Sequence, residues 1–229
     1  MILTNLPSRR RAKAAACALA LLPLTAHAGR PMTVDDAAIV APGLCQLETY
    51  ALHDARHNEY WATPACNIGG DWELGIGRSG GGDAHYGRVQ AKTVFKPLET
   101  GGWGIGLVLA DQFRSGRGLE GDVSANVPLS ISLAGDSVLV HFNTGLMRTR
   151  AQRSTDAIWG VGAEFKLNER NSLTAEVFGQ QRNGSRYQLG FAHALIPDRL
   201  QVDASWSRRL TARGAGEQAV TLGLILQSN

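Results

Sequence analysis

From Trp103 to Leu226 the chain changes face with almost every residue, and the apolar half of each segment is nearly pure while the other half is polar or glycine. Between Val123 and Leu133 the odd positions are Val, Ala, Val, Leu, Ile and Leu, and the even positions are Ser, Asn, Pro, Ser and Ser. A period of two describes an extended strand with one oily face. Repeated in segments of about ten residues with turn residues between, it predicts an all-β fold, a transmembrane antiparallel β-barrel whose alternate side chains meet lipid and lumen.

Clusters of Gly, Asn, Asp and Pro punctuate the pattern and predict strands over residues 45–53, 59–67, 72–78, 85–96, 103–113, 122–133, 138–149, 157–167, 172–180, 186–195, 199–207 and 218–227. That is about twelve, an even number, as single-chain bacterial barrels have. Short connections at 68–71, 134–136, 168–171 and 197–198 interleave with longer ones at 79–84, 114–120, 150–156 and 211–216. In outer-membrane barrels the short turns are periplasmic and the long loops external, so both termini fall on the periplasmic side. The first two strands carry the weakest alternation. A soluble antiparallel β protein would share the period, with its apolar face turned inward. Against it, the polar faces contain Gly104, Gly106, Gly160, Gly162, Gly190 and Gly223, small residues suited to a crowded lumen rather than to a solvated face.

The beginning of the chain follows another rule. Arg9, Arg10, Arg11 and Lys13 precede an apolar run over 14–25, then Ala26-His27-Ala28, which reads as a secretory signal (residues 1–28) cleaved after Ala28. The run is too short for a membrane-spanning helix. Residues 29–43 form a short periplasmic lead-in that either lies in the periplasmic mouth or, by default, is flexible. Within it Thr33 and Asp36 are spaced as a weak helix N-cap pair, with Pro42 as a stop. The barrel occupies 44–229.

Cys17 leaves with the signal, and Cys45 and Cys66 remain. An even pair in an exported protein suggests a disulfide, and a hairpin turning between Ala55 and Arg56 would set the two directly opposite each other. Two reduced cysteines at strand positions are the alternative. Loss of the signal leaves 19 of the 23 basic residues against 20 acidic ones, so the mature chain is close to neutral and overall charge gives no support to a nucleic-acid partner.

One face of the strands offers Trp72, Leu74, Ile76, Phe95, Trp103, Trp159, Phe165, Phe191, Trp206 and Leu222 to lipid, with aromatics toward the strand ends as interfacial girdles require. The opposite face carries a polar ladder in the lumen: Glu73, Arg88, Lys92, Asp122, His141, Glu164, Lys166, Glu176 and Asp203. Mixed charges inside a low-dielectric wall must be paired or hydrated, so the ladder reads first as a prop for the barrel. His141 near Ser130 and Ser132 could suggest a hydrolase, but no nucleophile motif accompanies it. No catalytic, metal-binding or cofactor-binding residue is assigned, and no cofactor is expected.

The loops and strand ends on the long-loop side hold an arginine-rich rim: Arg114, Arg117, Arg148, Arg150, Arg153, Arg182, Arg186, Arg208, Arg209 and Arg213, together with Arg56 and Arg78. The mature lysines, Lys92, Lys96 and Lys166, lie elsewhere. Arginine makes bidentate contacts to phosphate and carboxylate, so the rim is a candidate collar for lipopolysaccharide phosphates or anionic solutes. Ordinary solvation with acidic partners such as Asp83, Glu120, Asp156 and Glu217 is the alternative.

The segment Arg30-Pro31-x-Thr33-x-Asp35-Asp36-Ala37, followed by Pro42-Gly43-x-Cys45-Gln46-Leu47-Glu48, resembles the start of the outer-membrane proteins grouped as the phenol meta-pathway family. Glu59-Tyr60-Trp61, Pro64-Ala65-Cys66-Asn67 and Glu73-Leu74-Gly75 extend the likeness. Val34 interrupts the family's Thr-Asp-Asp order, and the chain lacks the terminal aromatic common in such barrels. The resemblance implies an outer-membrane barrel and, loosely, uptake of aromatic or other hydrophobic compounds. It transfers no catalytic residue.

Together these readings predict a barrel in the outer membrane of a Gram-negative bacterium, inserted by the barrel-assembly machinery, in contact with membrane lipid and lipopolysaccharide. Its expected role is a narrow channel for small, aromatic or anionic, solutes, not an enzyme. A structural barrel with a filled lumen and a lipopolysaccharide-binding rim is the second reading, and a lipid-modifying barrel enzyme the third.

Overall fold

The computed structural model describes residues 31–55, 57–81, 84–116, 121–210 and 218–228. Twelve strands follow in order: β1 (Cys45–Asp54), β2 (Asn58–Asn67), β3 (Trp72–Gly80), β4 (Tyr86–Lys96), β5 (Trp103–Arg114), β6 (Asp122–Leu133), β7 (Val138–Thr149), β8 (Ser154–Lys166), β9 (Asn171–Gln180), β10 (Gly184–Ile196), β11 (Leu200–Arg209) and β12 (Gln218–Gln227). Each pairs antiparallel with its neighbours in sequence, and β1 with β12 closes the ring, from Gln46 opposite Gln227 to Asp54 opposite Ala219. Closure leaves no strand edge exposed to lipid, where an unpaired peptide group would find no partner.

All twelve predicted strands are present, with ends that differ by at most three residues. The largest extension is at the start of β8, where Ser154, Thr155 and Asp156 lack apolar alternation but continue the ladder with β7, from Thr149 opposite Ser154 to Met147 opposite Asp156. At that height hydrogen bonding suffices without an oily face. On the long-loop side only three residues separate β1 from β2 and three separate β9 from β10, so length alone does not separate the two ends.

Side chains divide by parity as the pattern predicts. Outside, Trp72, Leu74, Ile76, Phe95, Phe191, Leu222 and Leu226 are exposed, Ile76 and Phe95 by about two thirds (65% and 66%). In water so large an apolar surface would drive association; around a closed barrel it is the lipid-facing band. Bulges between Val94 and Lys96 in β4 and between Ala194 and Ile196 in β10 reset the register near the short-turn end. Beside the first, Lys96 lies 4.0 Å over the Trp103 ring and donates to the Trp103 carbonyl at 2.6 Å, so its stem covers apolar surface while its charge stays at the interface. Cys45 and Cys66 are opposite each other and joined by a disulfide, at the short-turn end of the first hairpin.

Candidate functional site: the plugged lumen

The lead-in is not a flexible periplasmic tail. Residues 31–43 run inside the barrel, with Val34, Asp36, Ala37 and Val40 buried. An irregular segment can enter a lumen only if the wall supplies partners for its peptide groups, and the polar ladder supplies them. Glu176 of β9 accepts the Thr33 and Val34 N–H groups, each at 2.8 Å. Asn143 of β7 accepts from Asp35 N–H and donates to the Asp35 carbonyl, both at 2.8 Å. Ser130 of β6 accepts from Ala37 N–H and Glu73 of β3 from Val40 N–H, again at 2.8 Å. Asn67 of β2 donates to the Val40 carbonyl at 2.9 Å, and Gln188 of β10 to that of Pro31. The segment crosses from β10 to β2 before turning into β1.

Charge and shape complete the fit. Asp36 meets Lys92 of β4 at 2.5 Å with both side chains buried. The expected Thr33/Asp36 helix cap does not form: Asp36 spends its carboxylate on Lys92, and the backbone there is not helical. Lumenal glycines make room. A Cβ on Gly160 would stand 2.6 Å from Val34 Cγ2, and one on Gly190 2.6 Å from Pro31 Cγ.

The nine ladder positions therefore separate by role. Glu73, Lys92 and Glu176 bind the plug, and His141, buried behind it, holds Ser130 through Nδ1 at 2.8 Å. Since Ser130 takes the Ala37 N–H, that pair positions the lead-in. Asp203 lies inside against Gly223, on the opposite wall. Glu164 and Lys166 face inward at the short-turn end of β8. Asp122 accepts the Arg150 N–H at 2.9 Å at the long-loop end. Arg88 reaches Gln90 at 2.7 Å, and its Nε has no hydrogen-bond partner among the described residues. Asn126 donates to the Asp35 carboxylate at 2.9 Å. The sequence puts Asn126 and Asn143 on the lumenal face but marks neither these two nor Asn67, Ser130 and Gln188 as plug ligands. Their inward parity was readable, but nothing in it announces a peptide partner.

The arginines of the rim divide too. Arg117 and Arg213, like Arg56, lie outside the described residues. Arg186 and Arg209 point into the barrel, Arg209 donating to the Asn183 carbonyl at 2.7 Å. Arg78, Arg148 and Arg208 have outward parity and are exposed. Arg114, Arg150 and Arg153 are exposed at the rim, and Arg182 pairs with the fully buried carboxylate of Asp156.

Space remains on two sides of the plug. A vestibule of about 680 Å³ opens toward the long loops, with Thr33, Val34 and Asp35 as its floor. A second cavity of about 230 Å³ lies between the plug and the β1–β4 wall and extends to Gln46, one residue from the short-turn end of β1. Both are lined by Thr33, Val34, Asp35 and Arg88, which form the wall that the two cavities share.

Solved structures share the architecture. The KdgM porin superposes with a TM-score of 0.66 at 6% identity, covering 80% of this chain and 99% of its own. The COG4313 outer membrane channel from Pseudomonas putida F1 gives 0.64 at 9%, covering 84% and 98%, and the NanC porin 0.59 at 10%, covering 80% and 98%. At such identities the likeness is one of fold. No curated protein sequence matches the chain. The sequence does match a family over residues 16–227, whose description does not name the phenol meta-pathway grouping that the opening motifs resemble. With nearly its whole length matched, the chain belongs to the family described as uncharacterised conserved protein UCP029691.

Proposed function

We propose that this protein is a channel of the Gram-negative outer membrane through which small solutes pass beside its own N-terminal segment. The observation that carries the reading is the pair of cavities on either side of Arg88 and residues 33–35, one toward the long loops and the other extending to Gln46 near the short-turn end. The fold it shares with porins supports the same reading. A vestibule with both guanidinium groups and apolar side chains suits the aromatic or anionic cargo expected from the sequence. Removal of the signal after Ala28 and insertion by the barrel-assembly machinery belong to this proposal.

The extent of the plug favours a second reading, a structural barrel closed for good by its lead-in. Single-channel recording in a planar bilayer separates the two. The purified mature protein is expected to give a small unitary conductance, and deletion of residues 31–40 to raise it several-fold. A silent mature protein would overturn the channel.

The outward arginines have another proposed partner. Arg78, Arg148 and Arg208 sit on the lipid side of the rim, and beside Arg208 the Tyr187 and Trp206 rings meet edge to face at 5.4 Å, marking the interface. There they face lipopolysaccharide phosphates, which guanidinium groups bind bidentately. Replacing all three with Gln is expected to lower the lipopolysaccharide retained through detergent extraction, and unchanged retention would exclude the contact.

A further inference from the structure

The vestibule wall is not chemically uniform. Phe178 of β9 is the cross-strand partner of Arg186 of β10, which is in turn opposite Arg209 of β11. All three line the vestibule, so a ring and two guanidinium positions stand side by side on adjacent strands, each step about 4.8 Å. On the other flank of Phe178, Ile158 of β8 is opposite Gln180, one pleat from the ring, and Met147 of β7 follows beyond it. Gly160, cross-strand from Phe178, also lines the vestibule, with Val34 of the plug packed against it. The row thus reads Met147, Ile158, Phe178, Arg186, Arg209, an apolar platform ending in cations.

We propose that this strip is a binding site for an amphipathic organic anion, a small apolar body carrying a single carboxylate. The body lies on Met147, Ile158 and Phe178, and the carboxylate accepts from Arg186 and Arg209, whose planar forks match carboxylate geometry. A carboxylate alone would find the guanidinium groups but leave the platform wet, and a neutral apolar molecule would gain nothing from the guanidinium groups. Selection therefore follows from adjacency of the two halves. Arg88 lines both cavities, so the vestibule holds a third guanidinium beside the plug.

The inference rests on the channel reading for its purpose but not for its test. Equilibrium dialysis of labelled 3-phenylpropionate against the mature protein folded in detergent, with empty micelles as the blank, measures binding without current. Saturable binding is expected, weakened about ten-fold or more by F178S and by R186Q/R209Q. Acetate and 3-phenylpropanol are each expected to compete at least ten-fold less well. Equal competition by acetate would reduce the site to a simple anion patch, equal competition by the alcohol would reduce it to an apolar one, and either result overturns the proposal. So does absence of saturable binding. Because Arg209 also ties β11 to the β9–β10 turn, R186K is the control for folding. It keeps the charge and is expected to bind more tightly than R186Q at equal heat-modifiable migration. If binding is found but the protein is silent in a bilayer, the site stands and the channel falls.

Discussion

At the scale of single residues, Lys92 and Asp36 decide whether the lumen stays filled. Both charges are buried, so removing one partner strips the other of its main compensation, a loss of about 3–5 kcal/mol in comparable pairs. K92M is therefore expected to release the lead-in while the barrel survives, seen as a larger conductance and new protease sensitivity near residue 36 with unchanged heat-modifiable migration. D36N/K92M should lose less than K92M alone. A steric route reaches the same end: with a Cβ on Gly160 only 2.6 Å from Val34, G160L is expected to expel the plug, and a conductance equal to wild type would show that it does not. The polar parity of Lys92 and the small size of Gly160 were legible in the sequence. The pairing with Asp36 was not, because the two lie 56 positions apart and Asp36 also fits a local cap pattern.

At the scale of elements, the strands were almost wholly legible because a barrel wall imposes one rule on every residue, lipid or lumen, and the rule has period two. The Cys45–Cys66 hairpin was legible for the same reason: a fixed register makes opposite positions countable. Turns carry less rule and more chemistry. Between β6 and β7, Ala134, Gly135 and Asp136 all have positive φ, and Asp136 accepts from Ser132 and, at 2.5 Å, from Thr100. The hydroxyl of Ser132 also accepts the Gly101 N–H at 2.9 Å, which fastens this turn to the loop before β5. The two hydroxyl donors hold the Asp136 carboxyl below its ordinary value of 3.8. A depressed acid adds stability that is complete above that value and fades as pH falls through it. The difference in thermal stability between wild type and D136N is thus expected to stay level at neutral pH and to shrink below about pH 4. A gap independent of pH would assign it to turn conformation alone.

At the scale of the whole molecule, the barrel and its orientation of faces came from alternation, while the plug could not. Residues 31–43 have no period, because an irregular segment inside a lumen is held at scattered peptide groups by wall residues from several strands. Six of those wall residues, Asn67, Glu73, Ser130, Asn143, Glu176 and Gln188, belong to six different strands. The ladder that reads as a set of props between strands is in good part a socket. Its mixed composition follows: carboxylates and side-chain carbonyls for N–H groups, amide nitrogens for carbonyls, and one ammonium for one carboxylate.

The span of that socket has a kinetic consequence. The lead-in is made before any strand, yet its bond from Gln188 to Pro31 joins residues 157 positions apart. Long-range closures of this kind slow folding, so a segment made before every strand is among the last to find its place. Until β10 is in position the lead-in has an incomplete site, and when β12 meets β1 it must already be on the inner side of the seam. The barrel thus closes around its own beginning, and a chain without residues 31–40 is expected to close faster than the intact one, at the cost of an unoccupied lumen.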